Sequence, residues 1–155
     1  MLHEGDFVPD IPLSDVHGSE TTLDTILTHG KALLAFFKIS CPTCQLTLPF
    51  VERLYKNTKL IQVYGVSQDD PESTKGFCER FGLTFPMLVD DPDANFPVSN
   101  TFEITEVPSL FLVRKDGLIE WAVSGFSRQA LEDLGHDLHV AVFRADDRVP
   151  DIKPG

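Results

Sequence analysis

Basic residues are scarce in this chain: 13 lysines and arginines stand against 24 aspartates and glutamates, for a formal net charge of −11 over 155 residues. A surface of that sign repels phosphate, so no nucleic-acid or membrane-surface partner is expected. Long apolar runs are missing too. No stretch approaches the roughly 20 residues that a spanning helix needs. The opening Met1-Leu2-His3-Glu4-Gly5-Asp6 has neither a basic segment nor an apolar one of the kind that directs export, so a cytoplasmic location is expected. Three cysteines are too few for a disulfide framework. One tryptophan and two tyrosines against twelve phenylalanines make the aromatic content core filler.

What is present fits one domain spanning 1–155. Hydrophobic residues make up 42% and charged residues 24%, as in ordinary globular proteins. A chain of this length buries roughly 70% of its unfolded surface, enough for a core without staples.

Apolar periodicity and punctuation set the expected elements. Ile11–Leu13 and Glu20–Leu23 flank the turn-like Asp15-Val16-His17-Gly18 as an N-terminal hairpin or arm. Lys31–Lys38 encloses a continuous apolar run, the mark of a central strand covered on both faces. A helix is expected from Pro42 to about Lys56, a buried strand over 60–67, and a helix opened by Pro71 and stopped by Gly82. A short strand over 85–89 precedes a loop with a short helix over 91–104. Strands over 109–114 and 118–125 are joined by the tight turn Lys115-Asp116-Gly117. Ser127 caps a last helix reaching about Phe143 and carrying His136 and His139, followed by an irregular tail over about 146–155. Strands alternating with helices and closing on a hairpin predict an α/β sandwich around a central mixed sheet.

The chemistry concentrates in Cys41-Pro42-Thr43-Cys44, directly after the central strand. With Pro42 at the first helical position, where its missing N–H costs nothing, Cys41 becomes the N-cap. Its sulfur can then accept the free N–H groups of Thr43 and Cys44. The partial positive charge of the helix end favours an ionised, nucleophilic sulfur. Cys44 lies one turn inside and is expected to be the buried thiol that resolves a mixed disulfide formed at Cys41. As half of a zinc site the pair would need two further ligands. Cys78, His136 and His139 show no matching spacing, so no metal and no other cofactor is expected.

These residues resemble the active-site segment of the thioredoxin-like superfamily, in the branch of the cytochrome-maturation thioredoxins and the AhpC/TSA-type peroxiredoxins. The likeness covers most of the chain. It includes the entry Gly5-Asp6-Phe7-Val8-Pro9-Asp10, a proline (Pro49) five residues after the second cysteine, and the segments Val66–Pro71 and Phe81–Pro86. Val107-Pro108-Ser109 falls where the family carries its cis-proline. The resemblance implies a three-layer thioredoxin-like fold with an N-terminal extension. It also implies thiol–disulfide oxidoreductase activity through Cys41 and Cys44, with Pro42, Thr43, Val107 and Pro108 contacting substrate. The partners implied are protein or small-molecule disulfides and dithiols together with a thiol reductant, and the role is one in cell redox homeostasis and antioxidant defence.

The departures from the family pattern bear on mechanism. Ser40 replaces the tryptophan before the first cysteine. Ala35 stands where thioredoxin has a buried acid, and Thr47 where cytochrome-maturation relatives have a glutamate. Both familiar proton acceptors for Cys44 are thus absent, leaving Lys38, Glu103 or water as candidates. Pro42-Thr43 differs from the Gly-Pro of thioredoxin and predicts a couple less reducing than thioredoxin's, which lies at about −270 mV. Two rivals stand beside the exchange reading. A peroxiredoxin would align its peroxidatic cysteine with Cys44, but its Pro-x-x-x-Thr-x-x-Cys pattern is broken by Phe37 and by Cys41. A non-catalytic interaction module has no use for an intact Cys-x-x-Cys. Cys78 reads as a small hydrophobe on a helix, with a resolving or regulatory thiol as the sharper alternative.

Overall fold

The computed structural model describes residues 1–155. In chain order the elements are β1 (Pro12–Asp15), β2 (Glu20–Thr22), α1 (Leu23–Leu27), β3 (Ala32–Phe37), α2 (Pro42–Asn57), β4 (Gln62–Ser67), α3 (Pro71–Phe81) and β5 (Met87–Val89). A single 3₁₀ turn (Pro92–Ala94) then leads to α4 (Pro97–Thr101), β6 (Ser109–Val113), β7 (Ile119–Ser124), β8 (Phe126–Ser127), α5 (Arg128–Asp137) and β9 (Ile152–Lys153).

Six consecutive apolar residues make β3 an interior strand covered on both faces, and all six are buried. It pairs in parallel with β4 and antiparallel with β6, within a seven-stranded sheet of order β2-β1-β5-β4-β3-β6-β7. Strand pleating then splits the core in two. Leu33, Ala35 and Phe37 face a cluster that contains Cys44, Leu48, Val51, Leu54 and Phe77. Ala32, Leu34 and Phe36 face a second cluster, built with Leu23, Leu27, Val98 and Phe102. Each fully buried leucine or phenylalanine here contributes about 1.5–3 kcal/mol. The mixed sheet covered by helices is the thioredoxin-like architecture that the resemblance implied.

Caps explain where the helices begin. Asp70 accepts the Ser73 N–H at 2.8 Å ahead of Pro71, and Ser127 accepts the Ala130 N–H at 3.1 Å. Asp90, fully buried, accepts the N–H groups of Val98 and Ser99 at 2.9 and 2.7 Å, so this carboxylate serves a helix start. Gly82, at φ 65°, stops α3 as expected. The hairpin turn lies at Lys115-Asp116-Gly117, with Gly117 at φ 88°. The short helix α1, capped by Thr22, has no counterpart in the expected elements.

Two expectations near the end of the chain are corrected. The last helix stops at Asp137 and does not reach Phe143. His139 adopts φ 59°, and the Val140 N–H donates to Gly135 O at 2.8 Å while His139 N–H donates to His136 O at 3.2 Å. This double bond pattern is a Schellman closure, with a histidine in the left-handed position that glycine usually fills. His139 therefore lies beyond the helix and His136 on its exposed end. The chain then folds back so tightly that a side chain on Gly135 would meet Val142 and the Val140 carbonyl. The tail is not irregular throughout either, because Ile152–Lys153 pairs antiparallel with Phe126–Ser127. Arg53 fastens the returning segment, donating to Val142 O at 3.0 Å and to both carboxylate oxygens of Asp147 at 2.7 and 3.1 Å.

Candidate active site

The register of the sheet brings three chain ends together. Phe36 lies opposite Ser109 in the antiparallel β3–β6 pair, and Phe37 opposite Ser67 in the parallel β3–β4 pair. The loop after β3, the loop after β4 and the segment entering β6 therefore meet at one end of these interior strands. Cys41 sits on the first, Asp69 on the second, and Val107-Pro108 on the third.

Cys41 is the N-cap of α2, and its sulfur accepts the Cys44 N–H at 3.1 Å. The Thr43 N–H does not join it, so one of the two expected backbone donors is engaged. The Cys41 thiol also donates to Val107 O at 3.5 Å. The Val107-Pro108 peptide bond is cis, with Val107 half-buried and Pro108 buried. Both cysteines are free thiols, Cys41 half-exposed and Cys44 fully buried. Burial, then the hydrogen bond with Cys41, push the Cys44 thiol far above its ordinary range. Ala35, the apolar residue at the position of thioredoxin's buried acid, belongs to the same cluster as Cys44. The two sulfurs are thus unlike: one half-open at a helix end, one dry and protonated.

The remaining expected site residues divide. Pro42 is exposed beside Cys41. Thr43 is buried, and its hydroxyl donates to Pro154 O at 2.8 Å, so its polar group faces the chain's own tail. Thr47, fully buried, donates to Thr43 O at 2.7 Å. Lys38 and Glu103 are both exposed. Cys78 lies half-buried on α3, where burial pushes its thiol up to about 11.

Two groups at the site were not legible beforehand. The Asp69 carboxylate accepts the Ile39 N–H at 2.8 Å, and the Gln45 amide donates to Ile39 O at 2.9 Å. Ile39, in the loop before Cys41, is therefore held through both its N–H and its C=O, on the two peptide units that flank it. The charge on Asp69 also opposes ionisation of Cys44. Asp69 stood inside a segment already noted for its likeness to relatives, yet only the β3–β4 register shows which loop it reaches. The second missed group is the tail itself.

The AhpC/TSA family model matches residues 5–122, which hold the cysteine pair and the cis-proline. The chain belongs to the AhpC/TSA family. This family member is 32% identical over 124 residues to the thiol-disulfide oxidoreductase ResA of Geobacillus kaustophilus, across 78% of this chain and 69% of that one. Its fold matches the thioredoxin domain of a thiol-disulfide oxidoreductase from Bacteroides vulgatus with a TM-score of 0.76 at 22% identity, covering 88% of this chain and 98% of that one. It also matches the thiol:disulfide interchange protein DsbE of Chlorobium tepidum at a TM-score of 0.72 and 22% identity, covering 92% and 100%. No helix of the AhpC/TSA chain is long and apolar enough to cross a membrane, and no three His, Cys, Asp or Glu side chains cluster as metal ligands would.

Proposed function

We propose that this chain is a thiol–disulfide oxidoreductase that exchanges a protein disulfide for its own Cys41–Cys44 disulfide. The supporting observation is the asymmetric pair: a half-exposed Cys41 sulfur bonded by the Cys44 N–H at 3.1 Å, beside a fully buried Cys44. The ResA relatives agree with this reading. The Cys41 thiolate attacks one sulfur of the substrate disulfide. That S–S bond breaks, a mixed disulfide forms at Cys41, and the departing substrate thiolate takes a proton. Cys44 then loses its proton and attacks the Cys41 sulfur, releasing the second substrate thiol. Two electrons pass from the dithiol to the substrate, and a thiol reductant restores the pair.

The broken threonine and proline positions at Cys41 and Phe37 leave a peroxide without the donors a peroxiredoxin uses, so exchange is favoured over peroxidase chemistry. Equilibration against glutathione tests the reading. The expected result is a Cys41–Cys44 disulfide with a potential above about −270 mV. Cys44→Ser should trap mixed disulfides at Cys41, and Cys41→Ser should abolish exchange. Rapid hydrogen peroxide turnover that survives Cys41→Ser would overturn it.

A further inference from the structure

Residues 151–155 lie across the surface next to the redox pair. The segment begins beside β8 and the start of α5, where the Arg128 N–H donates to Asp151 O at 2.9 Å and Phe126–Ser127 pairs with Ile152–Lys153. It passes over the first turn of α2, where the Thr43 hydroxyl donates to Pro154 O at 2.8 Å. It reaches Val107, the residue whose carbonyl also receives the Cys41 thiol. The fit at that point depends on a missing side chain. A Cβ on Gly155 would stand 2.1 Å from Val107 O and 2.7 Å from its carbonyl carbon. Gly125 gives way in the same manner, since a Cβ there would stand 2.8 Å from Lys153 O.

The way this segment is held indicates what kind of ligand the surface takes. Ile152, its one aliphatic side chain, is 74% exposed and so anchors nothing. The attachments are main-chain bonds on a two-residue ladder plus one hydroxyl to a carbonyl. An extended polypeptide adds to a strand edge by the same backbone bonds, whatever its side chains. A polypeptide bringing a disulfide to Cys41 needs this ground, whereas a small disulfide needs only the half-exposed sulfur.

We propose that residues 151–155 occupy the trough formed by Ser127, Thr43, Gly125 and Val107 as an internal occupant, and that they must leave it before an extended disulfide-bearing polypeptide reaches Cys41. The inference rests on the thiol–disulfide exchange reading above. It predicts a preference for glycine or another small residue where the incoming strand crosses Val107. It also predicts that occupancy by the tail scales the rate with polypeptides down in proportion to the fraction of molecules in which the trough is free.

The test compares the unsubstituted chain with Gly155→Val, whose side chain cannot pass Val107. The rate of Cys41–Cys44 disulfide formation is followed by acid quench, alkylation and mass, with two oxidants: an unstructured peptide closed by one disulfide, and 2-hydroxyethyl disulfide. If the trough is free in about one molecule in ten, Gly155→Val raises the peptide rate about tenfold and changes the small-disulfide rate less than about twofold. An unchanged peptide rate, or an equal rise with both oxidants, overturns the inference while leaving the exchange reading intact. Failure of both oxidants to form the Cys41–Cys44 disulfide in either protein overturns the exchange reading and this inference with it. A second measurement uses Cys44→Ser carrying either the peptide or 2-mercaptoethanol as a mixed disulfide on Cys41. Amide exchange within the displaced Ile152–Lys153 segment should accelerate in the peptide adduct alone, because that segment has left its ladder with β8. Equal protection of Ile152–Lys153 in both adducts overturns the inference.

Discussion

Replacing Asp69 with Asn separates two effects of one carboxylate. The first is geometric, acceptance of the Ile39 N–H at 2.8 Å, which the amide oxygen of Asn also performs. The second is electrostatic: the negative charge adds to burial and to the Cys41 hydrogen bond in keeping Cys44 protonated. A thiol at its ordinary pKa is only a few per cent ionised at pH 7, and each unit of upward shift divides that fraction by ten. Attack by Cys44 on the mixed disulfide follows its thiolate fraction. The resolving step should therefore rise about tenfold per pH unit from about pH 6 to 9, without a plateau. Removing one through-space charge lowers the Cys44 pKa by a unit at most, so Asp69→Asn should speed this step by roughly two- to tenfold at each pH, with the same slope. Stopped-flow reaction with a chromogenic aromatic disulfide resolves the two steps as successive releases of coloured thiolate. A plateau between about pH 7 and 9, or a slower Asp69→Asn, refutes the reasoning. The latter result would make Asp69 the group that takes the Cys44 proton.

Two further outcomes concern the segment that folds back after α5. Gly135→Ala gains about 1 kcal/mol of helix propensity. Its Cβ, however, would stand 2.4 Å from Val142 Cγ2 and 2.6 Å from Val140 O, and such overpacking costs about 1–3 kcal/mol. A lower urea midpoint is expected, and a higher one would show that the segment yields. Asp147 is held at about 2, chiefly by its hydrogen bonds from Arg53. A depressed carboxylate stabilises the fold above its unfolded pKa and loses that contribution as pH falls through the folded one. The stability difference between the native chain and Asp147→Asn should thus be constant above about pH 5 and close between about pH 4 and 2. A difference that persists at the acid end contradicts the assignment.

What could be read in advance was local. The apolar run at Lys31–Lys38, the Cys-Pro-Thr-Cys start of α2, the Pro71 start of α3, the Ser127 cap and the Gly117 turn each carry their instruction within a few residues, and each lies where that instruction placed it. The end of α5 was misplaced because its stop depends on His139 entering a conformation that is costly for any residue but glycine. What compensates is packing of Val140 and Val142 against a helix they meet only after the turn. Asp69 and the 151–155 segment were illegible for a related reason. Their partners, Ile39 and Thr43, stand 30 and more than 100 residues away in the chain, and no local pattern encodes such a meeting.

The backbone of Ile39, held on both sides, has a consequence for how partners meet this protein. With its N–H fixed by Asp69 and its carbonyl by Gln45, the approach to Cys41 is braced from two separate elements, like a strut pinned at both ends. Such bracing resists movement of the loop when the sulfurs trade partners, and it directs the adjustment towards the torsions of the cysteine side chains. Which way electrons flow is then decided by the relative potentials of the two couples.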